Sequence, residues 1–441
     1  MSAHSVYVPT REEVAQISER PVSGLLARIS LALAAIGLIA FVVGAFVSPE
    51  RAWRALLFNW LFFAALSSAG VMFVAAQRIT TARWSRSTIR FVEGYVAFMP
   101  IAWVLLALIV TVGRGHIFPW THEAPTVREK AIWLDPAFFT ARTLIVFAML
   151  TLLQLWYIWT SVRLDVGILN EWGTSWGKSF RERMRRGFGD ERRELHSTHS
   201  LQGKLAVWMA ILFGFGWCSL AFDLSMTLDL HFQSTLYGWW FFMGAMLCVL
   251  TSMSILARWW RNQLAIPHLV TDVNLHDIGK LAFALTCFWG YLTFGQYLVI
   301  WYGNMGEETH FMRLRLIGAW LPATLVMVFL VFVFPFFGLM GKKPKIWSAI
   351  MVTIAIGSLV GMWLCRYLEV YPSLYGPTTL LPFGLWEIAV TLGVLGLWGV
   401  CYFAFMNSFP RLRVFLMTSP YRDEVQVPVN ARTMEPLPAH E

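Results

Sequence analysis

Ionisable side chains set in or beside long apolar runs are the residues of this sequence that could do chemistry. Asp223 lies about seven residues from the end of one such run, roughly 10 Å along a helix rising 1.5 Å per residue. Asp229 and His231 close the same run. Arg142, Glu387, Arg366 and Glu369 lie near the ends of other runs, and Glu93 and Lys280 stand at the starts of two more. A charge in hydrocarbon is costly, so such residues point to pairing, proton transfer or ligand binding. Two chemistries compete. In one, Asp223, Glu387, Arg142 and Gln296 line a cavity in one half of the membrane that moves protons or binds a quinol headgroup. A desolvated carboxylate near an arginine can be tuned into a proton acceptor; Asp223 and Glu387 then exchange protons, biased by Arg142. In the other, Asp223 and Glu387 pair with Arg142 or Arg366 to hold helices together. The middle layer of each run has no charge, which counts against a continuous wire of carboxylates. Thr251, Ser252, Ser254, Thr286 and Thr293 could carry water there, although helical hydroxyls more often bond their own backbone.

The elements that must position these groups follow from composition. Of 441 residues, 57% are hydrophobic and 14% charged, against about 45–50% and 25% in soluble domains. That excludes a soluble enzyme, a disordered scaffold and a disulfide-built secreted domain, and leaves an all-α membrane protein. Runs of about 20 apolar residues can span a bilayer. Ten are expected, at 25–47, 55–77, 91–113, 137–162, 205–230, 236–258, 281–301, 316–339, 347–369 and 383–406. The first is too long for a signal-peptide core and no small-residue cleavage site follows it, so it reads as a retained anchor. Residues 1–24 form an N-terminal extension and 407–441 a C-terminal tail, both without periodicity and suited to packing on partners or fraying.

An even number of spans puts both termini on one side. Loops and flanks on that side hold 26 of the 35 Lys and Arg, so the positive-inside rule makes it cytoplasmic. The formal charge of +9 is then a topology signal, with no nucleic-acid partner implied. In the loop 163–204, Trp172, Trp176, Phe180 and Met184 recur every four residues among Lys178, Arg181, Arg183, Arg185 and Arg186, the pattern of an interfacial helix. An internal echo, LFNWLFFAAL at 57–66 against LYGWWFFMGA at 236–245, lies four spans apart and so preserves orientation. It predicts two four-helix bundles, spans 2–5 and 6–9, flanked by spans 1 and 10.

Haem in a membrane bundle needs axial ligands there, usually His. The ten histidines all fall outside the expected spans, which excludes a cytochrome b with paired histidines. The five cysteines are single, with no C-x-x-C spacing, so iron–sulfur and c-haem sites are not expected, nor is a metal site. No P-loop or dinucleotide glycine fingerprint occurs. Trp239, Trp240, Trp301, Trp347 and Trp386 sit near span ends, as an interfacial belt requires. Any redox centres must then belong to partners.

The end of span 5 reads FDLSMTLDLHFQSTLYGWW (222–240), and span 7 reads DIGKLAFALTCFWGYLTFGQYLVIWYGNMGEE (277–308). Together these stretches resemble the ten-helix NrfD-like membrane subunits of polysulfide-reductase type, and within them the F-type subunit of bacterial alternative complex III. The resemblance covers spans 2 to 10. It implies two four-helix bundles with cytoplasmic termini in the bacterial inner membrane. The implied role is that of a subunit, non-catalytic by itself, of a quinol oxidase of cytochrome c or similar carriers, supporting quinol oxidation and forming a proton half-channel. The implied partners are a homologous C-type membrane subunit, periplasmic subunits holding haem c and iron–sulfur clusters, a terminal oxidase, and membrane lipids. This chain itself would bind no cofactor beyond menaquinol or another quinol. Asp223 and Asp229 stand at the family's acidic positions in span 5, and Asp277, Lys280 and Gln296 in its span 7 motif. Asp223 and His231 are then the quinone-binding candidates, and Asp223, Asp229, Glu387, Arg142, Gln296, Lys280 and Glu93 the proton-transfer candidates. The family commonly has Trp after the first Asp and Pro before the His, where this sequence has Leu224 and Leu230.

Two rival readings remain open: a stand-alone secondary transporter and a structural anchor for peripheral redox subunits. A transporter usually has matching Gly/Pro interruptions in its two halves. Here Pro322 and Pro335 fall in span 8 while span 4 has none, which disfavours it.

Overall fold

The computed structural model describes residues 9–20, 22, 24–122, 128–169, 177–421 and 425. Among them there is no strand, and ten helices are long and apolar enough to cross a membrane. In order these are span 1, Leu25–Val47; span 2, Pro49–Ile79; span 3, Ile89–Thr111; span 4, Pro136–Ile168; and span 5, Glu191–Leu228. Then come span 6, Leu236–Gln263; span 7, Asp272–Gly303; span 8, Trp320–Gly338; span 9, Ser348–Tyr375; and span 10, Leu385–Ser408. The described residues form an all-helical fold, and the ten apolar helices make the chain a multi-pass membrane protein.

Several helices outrun their apolar stretches because capping residues, not hydropathy, set their ends. Span 4 starts where Asp135 accepts from the amides of Ala137 (3.1 Å) and Phe138 (3.0 Å), with Pro136 at the first helical position. Thr271 and Asn274 form a reciprocal capping box that starts span 7 well before its apolar run. Span 5 begins at Glu191, capped by Asp190, so much of the expected loop 163–204 is helix projecting from spans 4 and 5. The rest holds a short helix, Lys178–Arg185. Trp172 and Trp176 lie outside the described residues. Met184 is buried, Phe180 packs against Trp159 and Phe409, and Arg181 donates to the Ser408 carbonyl. This helix therefore rests on the ends of spans 4 and 10 as well as facing outward.

Span 2 is the axis of the fold, buried along almost its whole length, with spans 1, 3, 5, 6, 9 and 10 packed around it. Span 4 packs on spans 3 and 5, span 6 on spans 7 and 9, and span 8 on spans 7 and 9. Span 1 lies along span 10 over a seam of small residues. A Cβ on Gly37 would stand 2.0 Å from the Gly393 Cα, so only glycine permits this approach. Span 8 is interrupted by a π-turn, Phe329–Val333, just before Pro335. Proline has no amide to donate and its ring crowds the carbonyl one turn back, so the ladder widens there.

The chain ends were expected to pack on partners or fray, but the described parts pack on the chain itself. Helix Arg11–Glu19 buries Val14 and Ile17, and Arg411 beyond span 10 donates to the carbonyl of Arg20 at 2.6 Å. Both described ends thus meet at one face, called the terminal face below.

Candidate functional site

Among the described residues, the buried carboxylates and their cations gather at four places, three towards the face opposite the chain ends and one towards the terminal face. The first is Asp223, fully buried in span 5. Arg142 donates to both of its oxygens, Nε to Oδ2 at 3.0 Å and Nη2 to Oδ1 at 2.8 Å, and the Trp133 indole donates to Oδ1 at 3.1 Å. The Arg142 guanidinium stacks on Trp133 at 3.7 Å from the ring centroid. This carboxylate is capped and ion-paired.

Glu387 forms the second place, and it does not join Arg142 or Arg366. Arg51, at the start of span 2, donates to it through Nε (3.0 Å) and Nη2 (2.6 Å), while the Tyr371 hydroxyl (3.0 Å) and the Gly384 amide (2.8 Å) are its other donors. The expectation that Asp223, Glu387, Arg142 and Gln296 share one cavity is therefore corrected. Span 10 packs on spans 1 and 2, which puts Glu387 beside Arg51 and away from span 4.

The third place is centred on Glu369 of span 9. Arg366 donates to its Oε1 at 2.6 Å, and Ser225 at the end of span 5 donates to its Oε2 at 3.3 Å. Ser225 and Tyr237 share a hydrogen bond of 2.5 Å. The buried Arg315 donates to the carbonyls of Glu369 (3.0 Å) and Phe311 (2.6 Å). Beside this network is a cavity of about 380 Å³ between spans 6, 7, 8 and 9, into which Gln296, Tyr237, Arg315 and Glu369 face. Asp229 lies close by, with His310 Nδ1 3.5 Å from its Oδ2 and the His231 amide donating to its Oδ1 at 3.1 Å. A second hollow of about 250 Å³ reaches Asp229 and Trp133 from the surface. His231 is itself exposed and separate from Asp223, so the two do not form one ligand site. Lys280 is exposed and pairs with Asp277 at 2.7 Å, far from these groups along span 7.

The fourth place holds four charges near the terminal face. Arg90 and Glu93 of span 3 pair at 2.5 Å; Arg90 also pairs with Asp165 of span 4, and Arg413 from beyond span 10 pairs with Glu93. Ser161 donates to Glu93 at 2.8 Å, and the Phe415 amide donates to Asp165 at 3.0 Å. Burial disfavours the charge on Arg413, but Glu93, with Tyr157 and Asp165 near, raises its pKa above the ordinary arginine value.

Between the two halves the polar groups are short links. Tyr95 donates to Ser252 at 2.7 Å, Trp363 to Asn59 at 3.0 Å and Gln154 to Ser68 at 2.7 Å. The hydroxyls of Thr251, Ser252, Ser254, Thr286 and Thr293 all donate to carbonyls three or four residues back. Sequence reasoning missed Asp165, Arg413, Arg315, Arg51 and Tyr371 as members of these clusters. Only Asp165 had a local signal, one helical turn beyond Ser161 on the same face. The others are brought in by helices distant in sequence.

No protein-family model matches this chain, and no curated protein does.

Proposed function

We propose that this chain is an integral subunit of a quinol-oxidising respiratory complex of the alternative complex III type. It sits in a bacterial inner membrane with both termini cytoplasmic, an orientation supported by the distribution of its cations under the positive-inside rule. Spans 2–5 and 6–9 form two four-helix bundles flanked by spans 1 and 10, a reading supported by the pairwise packing of these helices. Haem c and iron–sulfur clusters belong to its periplasmic partners, and this subunit supports their oxidation of quinol while passing protons towards the periplasm.

One observation carries the reading. The two stretches with the family resemblance, the end of span 5 and span 7, are separated by some 40 residues and line one cavity, where the Trp240 indole donates to Thr293 at 2.8 Å. Ser225 and Tyr237 of the first hold Glu369, Asp229 stands next to His310, and Gln296 of the second faces the cavity alongside. Glu369 and Asp229 are the groups best placed to exchange protons because each lines a hollow, although Glu369, like Asp223 and Glu387, is paired with an arginine. The transporter reading gains nothing here: span 8 is interrupted, but span 4, its counterpart in the repeat, runs unbroken from Pro136 to Ile168.

Purification of the tagged chain from its native membrane tests the proposal. Co-isolation with c-haem and iron–sulfur subunits, and quinol-dependent reduction of a c-type cytochrome, are expected. A chain that isolates without redox partners overturns it.

A further inference from the structure

We infer that the cavity among spans 6, 7, 8 and 9 is a binding site for a lipid-soluble molecule presenting a carbonyl oxygen at the end of a hydrocarbon body. Its volume, about 380 Å³, falls within the range of small-molecule pockets, roughly 300–1,000 Å³. Its walls are chiefly apolar: Trp240, Trp289, Phe311, Met327, Phe332 and Leu368. A charged or sugar-like molecule would lose its hydration there without replacement.

The unspent polar atoms define the head of the ligand. Tyr237 is bonded to Ser225, Thr293 accepts from Trp240 and donates to the Trp289 carbonyl, and Thr324 donates to the Arg315 carbonyl. Arg315 and Glu369 are engaged as described. The Trp289 indole N–H, on a side chain only 1% exposed, has no partner among the described residues, and the Gln296 amide, on a side chain 5% exposed, lines the same space. An indole can only donate, and a buried donor left unpaired costs about 1–3 kcal/mol. The indole calls for an acceptor. A carbonyl supplies it without bringing a charge into apolar walls, and the Gln296 amide can add a second hydrogen bond to it.

The entrance gives the route. Phe294, Tyr297 and Leu316 belong to the cavity lining and are exposed on the apolar outer surface. The ligand thus enters from the bilayer, with its chain trailing between spans 7 and 8. Gly290 and the π-turn of span 8 shape this wall: a Cβ at position 290 would stand 2.4 Å from the Phe332 ring.

A prenylated quinone and a glycerolipid ester both present this chemistry, so the site does not depend on the respiratory reading. The purified full-length chain in lipid nanodiscs is photolabelled with a decyl azidobenzoquinone and, separately, with a phosphatidylglycerol bearing a diazirine on its acyl chain. Labelled peptides are then mapped by mass spectrometry. Competable labelling within 289–297 or 324–332 by either probe is expected. The quinone probe alone would assign the site to a quinone, and the lipid probe alone to a structural lipid, which keeps the site and removes quinol from it. Gln296→Leu should lower the labelling about tenfold, the loss of one hydrogen bond of roughly 1.4 kcal/mol, and Met327→Trp should abolish it by filling the space. Absence of labelling in the wild-type chain by both probes overturns the inference. So does unchanged labelling in a Gln296→Leu chain that melts at the wild-type temperature.

Discussion

Arg142 of span 4 clasps Asp223 of span 5 through two parallel hydrogen bonds, of 3.0 and 2.8 Å, and lies flat on the indole of Trp133. The same Trp133 donates to the carboxylate, so cation, ring and anion form one closed unit. Such a unit resists the loss of one member, because the remaining charge stays buried without a partner. Arg142→Met should therefore destabilise the chain by about 3–5 kcal/mol. Arg142→Met combined with Asp223→Asn should cost less than the sum of the two single changes. Thermal unfolding in detergent, arranged as a double-mutant cycle, checks this; strict additivity would mean that the pair is not coupled.

Glu369 is predicted to differ from Asp223 in what its loss does. Glu369→Gln removes the ionisable group beside the cavity but leaves an amide oxygen for Arg366 to donate to, and Arg366 keeps its bond to the Phe241 carbonyl at 2.8 Å, so the cost is smaller than that of deleting the side chain. If Glu369 passes protons, quinol oxidation by the assembled complex should fall about 10²-fold or more, the scale of a lost general base. The subunit should still assemble. Steady-state turnover together with haem content separates a catalytic loss from an assembly loss.

The C-terminal segment is predicted to be part of the folded core. Ending the chain after Ser408 removes Arg413, which pairs with Glu93, and the Phe415 amide, which bonds Asp165. Two buried carboxylates then lose partners, and a loss of several kcal/mol is expected. Replacing Glu93 and Arg413 together by Met should be far milder than Arg413→Met alone. Melting temperatures of the three variants decide it.

Span 1 should depend on glycine. Gly37→Leu places a side chain where the Gly393 backbone lies, and the two helices must separate. Limited proteolysis between spans 1 and 2 should accelerate, while Leu38→Ala, on an exposed position of the same helix, should leave the rate unchanged.

Orientation is open to a direct test. A fluorescent protein fused to the C-terminus should fluoresce, and alkaline phosphatase fused at the same point should be inactive. The reverse pattern would place that end in the periplasm and contradict the cation distribution.

Sequence by itself determined the ten helices and the asymmetry of their flanking cations. Hydropathy is a local sum: each run of about 20 apolar residues declares itself without reference to any other part of the chain. It also picked out Asp223, Glu387 and Arg142, since a charge within such a run is conspicuous wherever it points. Which groups meet was decided only by the tertiary structure. Glu387 lies with Arg51 and not with Arg142 because span 10 packs on spans 1 and 2. Asp165, which reads as a loop residue, and Arg413, which reads as part of the C-terminal tail, are drawn inward by a helix that extends past its apolar limit and by a tail that folds back. The cavity of spans 6–9 has no trace in any single run, since its walls come from four helices and its unpaired indole donor, on Trp289, is recognised only once every neighbouring polar group has been accounted for. The partner of a buried charge is a property of helix packing, and packing depends on side-chain shapes across segments far apart in sequence.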